Sequence, residues 1–109
     1  MTHKDLYITQ VAAAKQFIDS DISRHYTIND IARQVALGKT KLKQGFRQQY
    51  GMGLYSYLRK ARMEKALQLV TETNIPFKQV AKACGFRYSS NFFAAFTKYH
   101  SITPGKARK

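Results

Sequence analysis

Part of this chain is written twice, and that constrains its fold more than any other feature. Ile31-Ala32 corresponds to Val80-Ala81, and Ala36-Leu37 to Gly85-Phe86, at an offset of 49 residues. Leu42, Phe46 and Tyr50 correspond to Phe92, Phe96 and His100 at an offset of 50, so the second copy carries one inserted residue. Within each copy apolar residues recur at helical spacing, stop, and resume. A small residue, Ala32 or Ala81, stands where two helices must cross closely. Four residues later Ala36 or Gly85 stands at the turn. This is the pattern of two helices joined by a short turn. Two copies predict an all-α chain with two helix-turn-helix subdomains, since a repeat marks a repeated structural unit.

The residues between and around the copies complete the plan. A first helix is predicted over about 6–20, with Val11, Ala14, Phe17 and Ile18 on one face. Thr27 followed by Asp30 reads as a capping box opening the next helix. Gly38 and the run Gly51-Met-Gly53 break the chain. Residues 54–72 read as the longest helix, with Tyr55, Leu58, Arg62, Ala66, Leu69 and Val70 along one side. Pro76 suits the first turn of the helix that follows, which stops at Gly85. Another helix is predicted over about 89–99, and Thr103-Pro104 begins a final turn. About seven helices result. The first lobe spans about 6–52, the long linker helix 53–73 and the second lobe 74–109.

Charge narrows the function. The net charge is +13, and it is uneven. Residues 1–38 hold four basic and four acidic side chains, whereas residues 39–109 hold fifteen basic ones against Glu64 and Glu72. Such a field draws a polyanion, either nucleic acid or an anionic membrane. A membrane-active peptide needs one long amphipathic helix, and Gly38, Gly51, Gly85 and Pro76 cut this chain into short ones. No apolar run approaches a membrane span, and the N-terminus lacks an apolar signal core, so a cytoplasmic location is expected by default.

Other chemistry finds no support. The single cysteine, Cys84, leaves no internal disulfide and no multi-cysteine zinc site, and it falls on an inner stripe. His3, His25 and His100 have no ligand spacing. The six acids are scattered, and Ser89-Ser90 has no evident base. Neither an enzyme nor a cofactor is expected.

In the first copy Leu42 and Phe46 are committed to the core, which leaves Thr40, Lys43, Gln44 and Arg47 on the opposite face. In the second, Phe92 and Phe96 point inward, and Ser89, Ser90, Phe93 and Ala94 face out. Glutamine pairs bidentately with adenine, lysine reaches guanine, and Ala94 and Phe93 suit thymine methyls. Lys39, Lys41 and Arg47, with Arg87 and Lys98, are phosphate candidates.

The second half carries Phe77-Lys-Gln-Val-Ala81, Gly85-Phe86, Phe92-Phe-Ala-Ala-Phe96, Thr103-Pro104 and Arg108. The middle carries Tyr57 and the spacing Arg62, Ala66, Leu69, Val70. On these residues the chain resembles the AraC/XylS family of transcription regulators over about 6–108. The resemblance implies homeodomain-like lobes whose two recognition helices enter successive major-groove segments. It places Thr40, Lys43 and Gln44 at base-reading positions. It also implies a structural or backbone-clamping role for Arg62. A linker of about 19 residues is roughly 28 Å long, near the roughly 34 Å repeat of DNA.

The departures from the family are specific. Ala36 and Ser101 stand where the family prefers glycine, and Gly38 stands where it prefers a serine-type cap. Ala94 replaces a long polar residue, beside an unusually bulky Phe93. The effector domain usual in the family is missing here. The chain therefore reads as an excised C-terminal domain in preference to a small stand-alone regulator, with any effector ligand and dimerisation in an N-terminal domain. The expected partner is double-stranded DNA, with RNA polymerase as a further candidate. The alternative is a protein-interaction module that contacts RNA polymerase or an acidic partner without reading DNA.

Overall fold

Two threonines start the first two helices by the same device. In the computed structural model, which describes residues 2–109, the Thr2 hydroxyl accepts from the Asp5 amide and the Asp5 carboxylate accepts from the Thr2 amide. Thr27 and Asp30 repeat the arrangement. These reciprocal bonds satisfy amides that have no partner inside a helix. The first helix, α1, accordingly runs His3–Ser20, three residues earlier than its apolar periodicity suggests. The others are α2 (Ile28–Gln34), α3 (Lys39–Tyr50), α4 (Leu54–Glu72), α5 (Phe77–Ala83), α6 (Ser89–His100) and α7 (Pro104–Arg108). Among the described residues there is no strand, and no helix is long and apolar enough to cross a membrane.

The chain divides into two units, and the division falls inside α4, between Leu58 and Arg59. Unit 1 holds the residues up to Asp21 and His25–Leu58, and unit 2 holds Ile22–Arg24 and Arg59–Lys109.

In unit 1, Val11, Ala14 and Ile18 of α1 are buried with Ile31, Ala32, Leu42 and Phe46. Gly45 permits this packing. A Cβ there would lie 2.5 Å from the Tyr7 hydroxyl and 2.7 Å from a Val11 methyl. The Tyr7 hydroxyl in turn donates to the Lys41 carbonyl. Tyr26 is buried and donates to the Asp21 carbonyl at 2.7 Å, closing the end of α1. Ala36 has a φ of 57°, the left-handed conformation that costs a non-glycine residue about 1–2 kcal/mol. The Gln10 amide holds that turn, donating to the carbonyls of Val35 and Ala36 at 3.1 and 3.2 Å.

Unit 2 packs Met63, Ala66 and Val70 of α4 with Val80, Ala81, Cys84, Phe92 and Phe96. Burial pushes the Cys84 thiol up to about 11, so it stays protonated and fills space as a small apolar group. Gly85 has a φ of 88°, and a Cβ there would press on the Arg62 guanidinium at 2.9 Å. That guanidinium donates to the carbonyls of Ile22 at 2.7 Å and Arg24 at 2.9 Å. Arg62 thus holds the protein's own backbone. Thr103 caps α7, whose Arg108 donates to the Val70 carbonyl and lies over the Phe77 ring.

The inner side of α4 differs from the sequence reading at three positions. Leu54 and Met63 are buried, while Tyr55 is 52% exposed. A 19-residue helix whose early and late turns belong to different units need not keep one stripe, so a single-face reading misassigns its first turn.

Candidate nucleic-acid interface

In unit 1 the outward surface is set by what α3 must bury. Leu42 and Phe46 are fully buried one turn apart, with Gly45 beside them. Thr40, Lys43, Gln44 and Arg47 are therefore exposed, and so are Lys39 and Lys41. Among the described residues none of these four cations pairs with a carboxylate, and the first turn of α3 holds no acid. Gly38 stands at the N-cap and supplies no side chain, so the leading amides of α3 lack a capping acceptor. A groove runs along this face, lined by Lys43, Gln44, Arg47, Ile28, Leu54 and Tyr55. The six residues predicted in unit 1 thus share one exposed helix surface.

In unit 2 the outward residues of α6 differ in kind. Phe92 and Phe96 are fully buried, and Ser90, Phe93 and Ala94 are exposed, with Ser89 half-buried. Phe93 is 38% exposed and meets the Phe77 ring edge to face, with ring centres 5.7 Å apart. It also lies against the Phe92 ring at 5.8 Å, so part of its ring is spent on packing while part stays exposed. Arg87 and Lys98 are exposed.

Sequence reasoning missed three features of this unit. Asn91 is exposed on α6, where the repeat aligns it with Lys41. Tyr88 is 61% exposed at the N-cap of α6, with no side-chain capping bond. It lies in the turn that carries the inserted residue, where the repeat offers no partner to compare. Lys78 and Lys82, one turn apart on α5, line a groove with Arg87, Tyr88 and Ser89. The 49-residue offset pairs those lysines with Asn29 and Arg33, and that comparison was the available signal.

The comparisons with known proteins agree with this geometry. Residues 31–109 match a family described as a helix-turn-helix domain. The HTH-type transcriptional regulator GadX of Escherichia coli O6:H1 is 31% identical over 87 residues, covering 80% of this chain and 31% of that protein. The melibiose operon regulatory protein of Escherichia coli K12 is 28% identical over 107 residues, covering 98% of this chain and 34% of that protein. This chain thus spans about a third of the length of such relatives. Among solved structures, the C-terminal domain of AraT, a response regulator from Geobacillus stearothermophilus, is similar with a TM-score of 0.85 and 28% identity, covering 91% of this chain and 83% of that one.

Proposed function

The chain belongs to the AraC-type helix-turn-helix family, and from that premise we propose that it binds double-stranded DNA at particular sequences and regulates bacterial transcription. The observation that carries this reading is the outer face of α3. Six polar residues are exposed there in two turns, four of them cations with no acid partner among the described residues. A helix fits the major groove, and Lys43 and Gln44 have the length and donor pattern to read base edges. Thr40 completes the reading positions. Lys39, Lys41 and Arg47 neutralise phosphates, aided by the uncapped amides and dipole at the start of α3. In unit 2, Ser89, Ser90, Phe93 and Ala94 face the groove, and Arg87 and Lys98 meet the backbone. Ala94 and the exposed part of Phe93 suit thymine methyls more than hydrogen-bonding edges.

RNA polymerase is a further partner for a regulator of this kind, and the work of such a regulator is cytoplasmic. Selection of bound duplexes from random DNA, followed by anisotropy titration over a range of salt, tests the reading. Enrichment of a defined motif is expected, with log K falling against log salt at a slope of roughly −5 to −7 for six to eight neutralised phosphates. A slope near zero, or binding indifferent to DNA sequence, overturns it in favour of a protein-interaction module.

A further inference from the structure

The two units differ behind their outward helices as well as on them. At the offsets of the repeat, 49 and then 50, Ile28 corresponds to Phe77, Lys43 to Phe93, Leu54 to Pro104 and Leu58 to Arg108. Leu54 and Pro104 open α4 and α7, and both are buried. Leu58 is buried too, so an aliphatic side chain meets the packing needs of that place in unit 1. Unit 2 puts an arginine there.

Packing alone does not account for that arginine. Arg108 is half-buried, among the described residues no carboxylate pairs with it, and its Nη2 atom is buried with no hydrogen-bond acceptor. A buried donor left so carries a desolvation cost that a leucine would avoid. What the arginine provides is a held plane. Its Nε donates at 3.0 Å to the carbonyl of Val70, a fully buried residue, and its guanidinium carbon lies 4.2 Å from the centre of the Phe77 ring. A guanidinium at that distance is attracted to the face of an aromatic ring. Phe77 is the first residue of α5 and half-buried, so the arginine covers a ring that the core covers only in part.

That ring in turn meets Phe93, with 5.7 Å between centres and 89° between planes, and Phe92 lies against Phe93 at 5.8 Å. Edge-to-face contact is directional, so a turn of Phe77 shifts Phe93. We infer, resting on the reading of Phe93 given above, that Arg108 and Phe77 are positioning residues for Phe93: the Val70 carbonyl, the guanidinium and the two rings form one stack that holds the exposed part of Phe93 ready for a thymine methyl. Neither added residue touches DNA. A partly exposed ring free to change rotamer has to be ordered on binding, and the stack removes that cost beforehand. With Ile28, Leu58 and Lys43 at the matching places, unit 1 cannot form such a stack. It does not require one, because Lys43 reads base edges through hydrogen bonds that carry their own direction.

The test replaces the thymines of the selected duplex, one at a time, by uracil, which lacks the C5 methyl. At one thymine or more the parent is expected to lose about fourfold in affinity, the worth of about one buried methyl group. Phe93→Ala should show no such loss there. Phe77→Ile and Arg108→Leu, which carry the residues of unit 1, should cut the loss to under about twofold while circular dichroism matches the parent's. Phe77→Tyr keeps the ring and should keep the loss. Arg108→Lys keeps the charge without the plane, so the salt slope should stay the parent's while the thymine loss shrinks. Retention of the full loss in Phe77→Ile or in Arg108→Lys overturns the stack. If no thymine separates the parent from Phe93→Ala, the reading of Phe93 fails and the positioning role fails with it, while sequence-selective binding by the parent leaves the DNA-binding reading standing.

Discussion

Unit 1 and unit 2 bury matching residues and expose different ones. Ile31 and Val80, Ala32 and Ala81, Leu42 and Phe92, and Phe46 and Phe96 are buried in pairs. On the outside, α3 carries Lys39, Lys41, Lys43 and Arg47 where α6 carries Ser89, Asn91, Phe93 and Thr97. The special backbone positions are exchanged as well. Unit 1 has Ala36 at its left-handed turn and Gly51 after α3, while unit 2 has Gly85 at the turn and Ser101 after α6. The backbone conformation is kept at all four places, and only the residue that bears it changes. Packing selects the skeleton because a buried position tolerates little variation in volume. Surface positions carry no such constraint, so each unit is free to present its own chemistry to a partner.

The largest expected effects test whether the skeletons are equivalent. Phe46 and Phe96 are both fully buried and occupy the same place in the repeat. Phe46→Ala and Phe96→Ala should each lose about 3–5 kcal/mol in chemical denaturation. A loss under about 1 kcal/mol at either one breaks the equivalence.

An intermediate effect tests the difference between the two recognition surfaces. Gln44→Ala should lose about 1–3 kcal/mol of binding on the selected duplex and relax the preference at one position. Ser90→Ala should lose less, since a short hydroxyl reads few base edges. Titration of both variants on selected and scrambled duplexes decides it, and a larger specificity loss at Ser90 reverses the assignment.

The smallest effects concern the exchanged turn residues. Ala36→Gly and Ser101→Gly should each stabilise by about 0.5–1 kcal/mol, as relief of left-handed strain exceeds the entropy lost by glycine. Gly85→Ala should destabilise by roughly 1–2 kcal/mol, because the new methyl meets both a positive φ and the Arg62 guanidinium. Melting curves of the three variants settle the signs. Destabilisation by Ala36→Gly would mean that the entropy lost by glycine exceeds the strain it relieves.

Much of the skeleton was legible in the residues. The Thr27–Asp30 box, the break at Gly38, the span of α4 and the Thr103 cap all appear where local chemistry places them. The outward residues of α3 followed from the commitment of Leu42 and Phe46 to the core. Thr2 and Asp5 carried the same capping signal as Thr27 and Asp30, but the apolar stripe begins later and hid it. The inner side of α4 was read less well, because Leu54 and Met63 are chosen by packing within each unit and a single periodic face does not show that. The groove of Lys78, Lys82 and Tyr88 left only an indirect trace, the change from Asn29 and Asp30 to Lys78 and Gln79 across the repeat. Its parts lie on α5 and in the turn before α6, and the path of that turn, which brings them together, is not written in their spacing.

The amino-acid sequence by itself determined the helices, their caps, the repeat and the sign of the partner's charge. Each of these rests on interactions between residues a few positions apart, or on a simple sum of charges. Tertiary structure alone decided three other things: the glycine at position 45 under Tyr7 and Val11, the hold of Arg62 on Ile22 and Arg24 beside Gly85, and the assembly of three cations in one groove. The first two depend on groups brought together from distant positions, and the third on how α5 and the turn after it fold back on each other, which the spacing of the residues does not record.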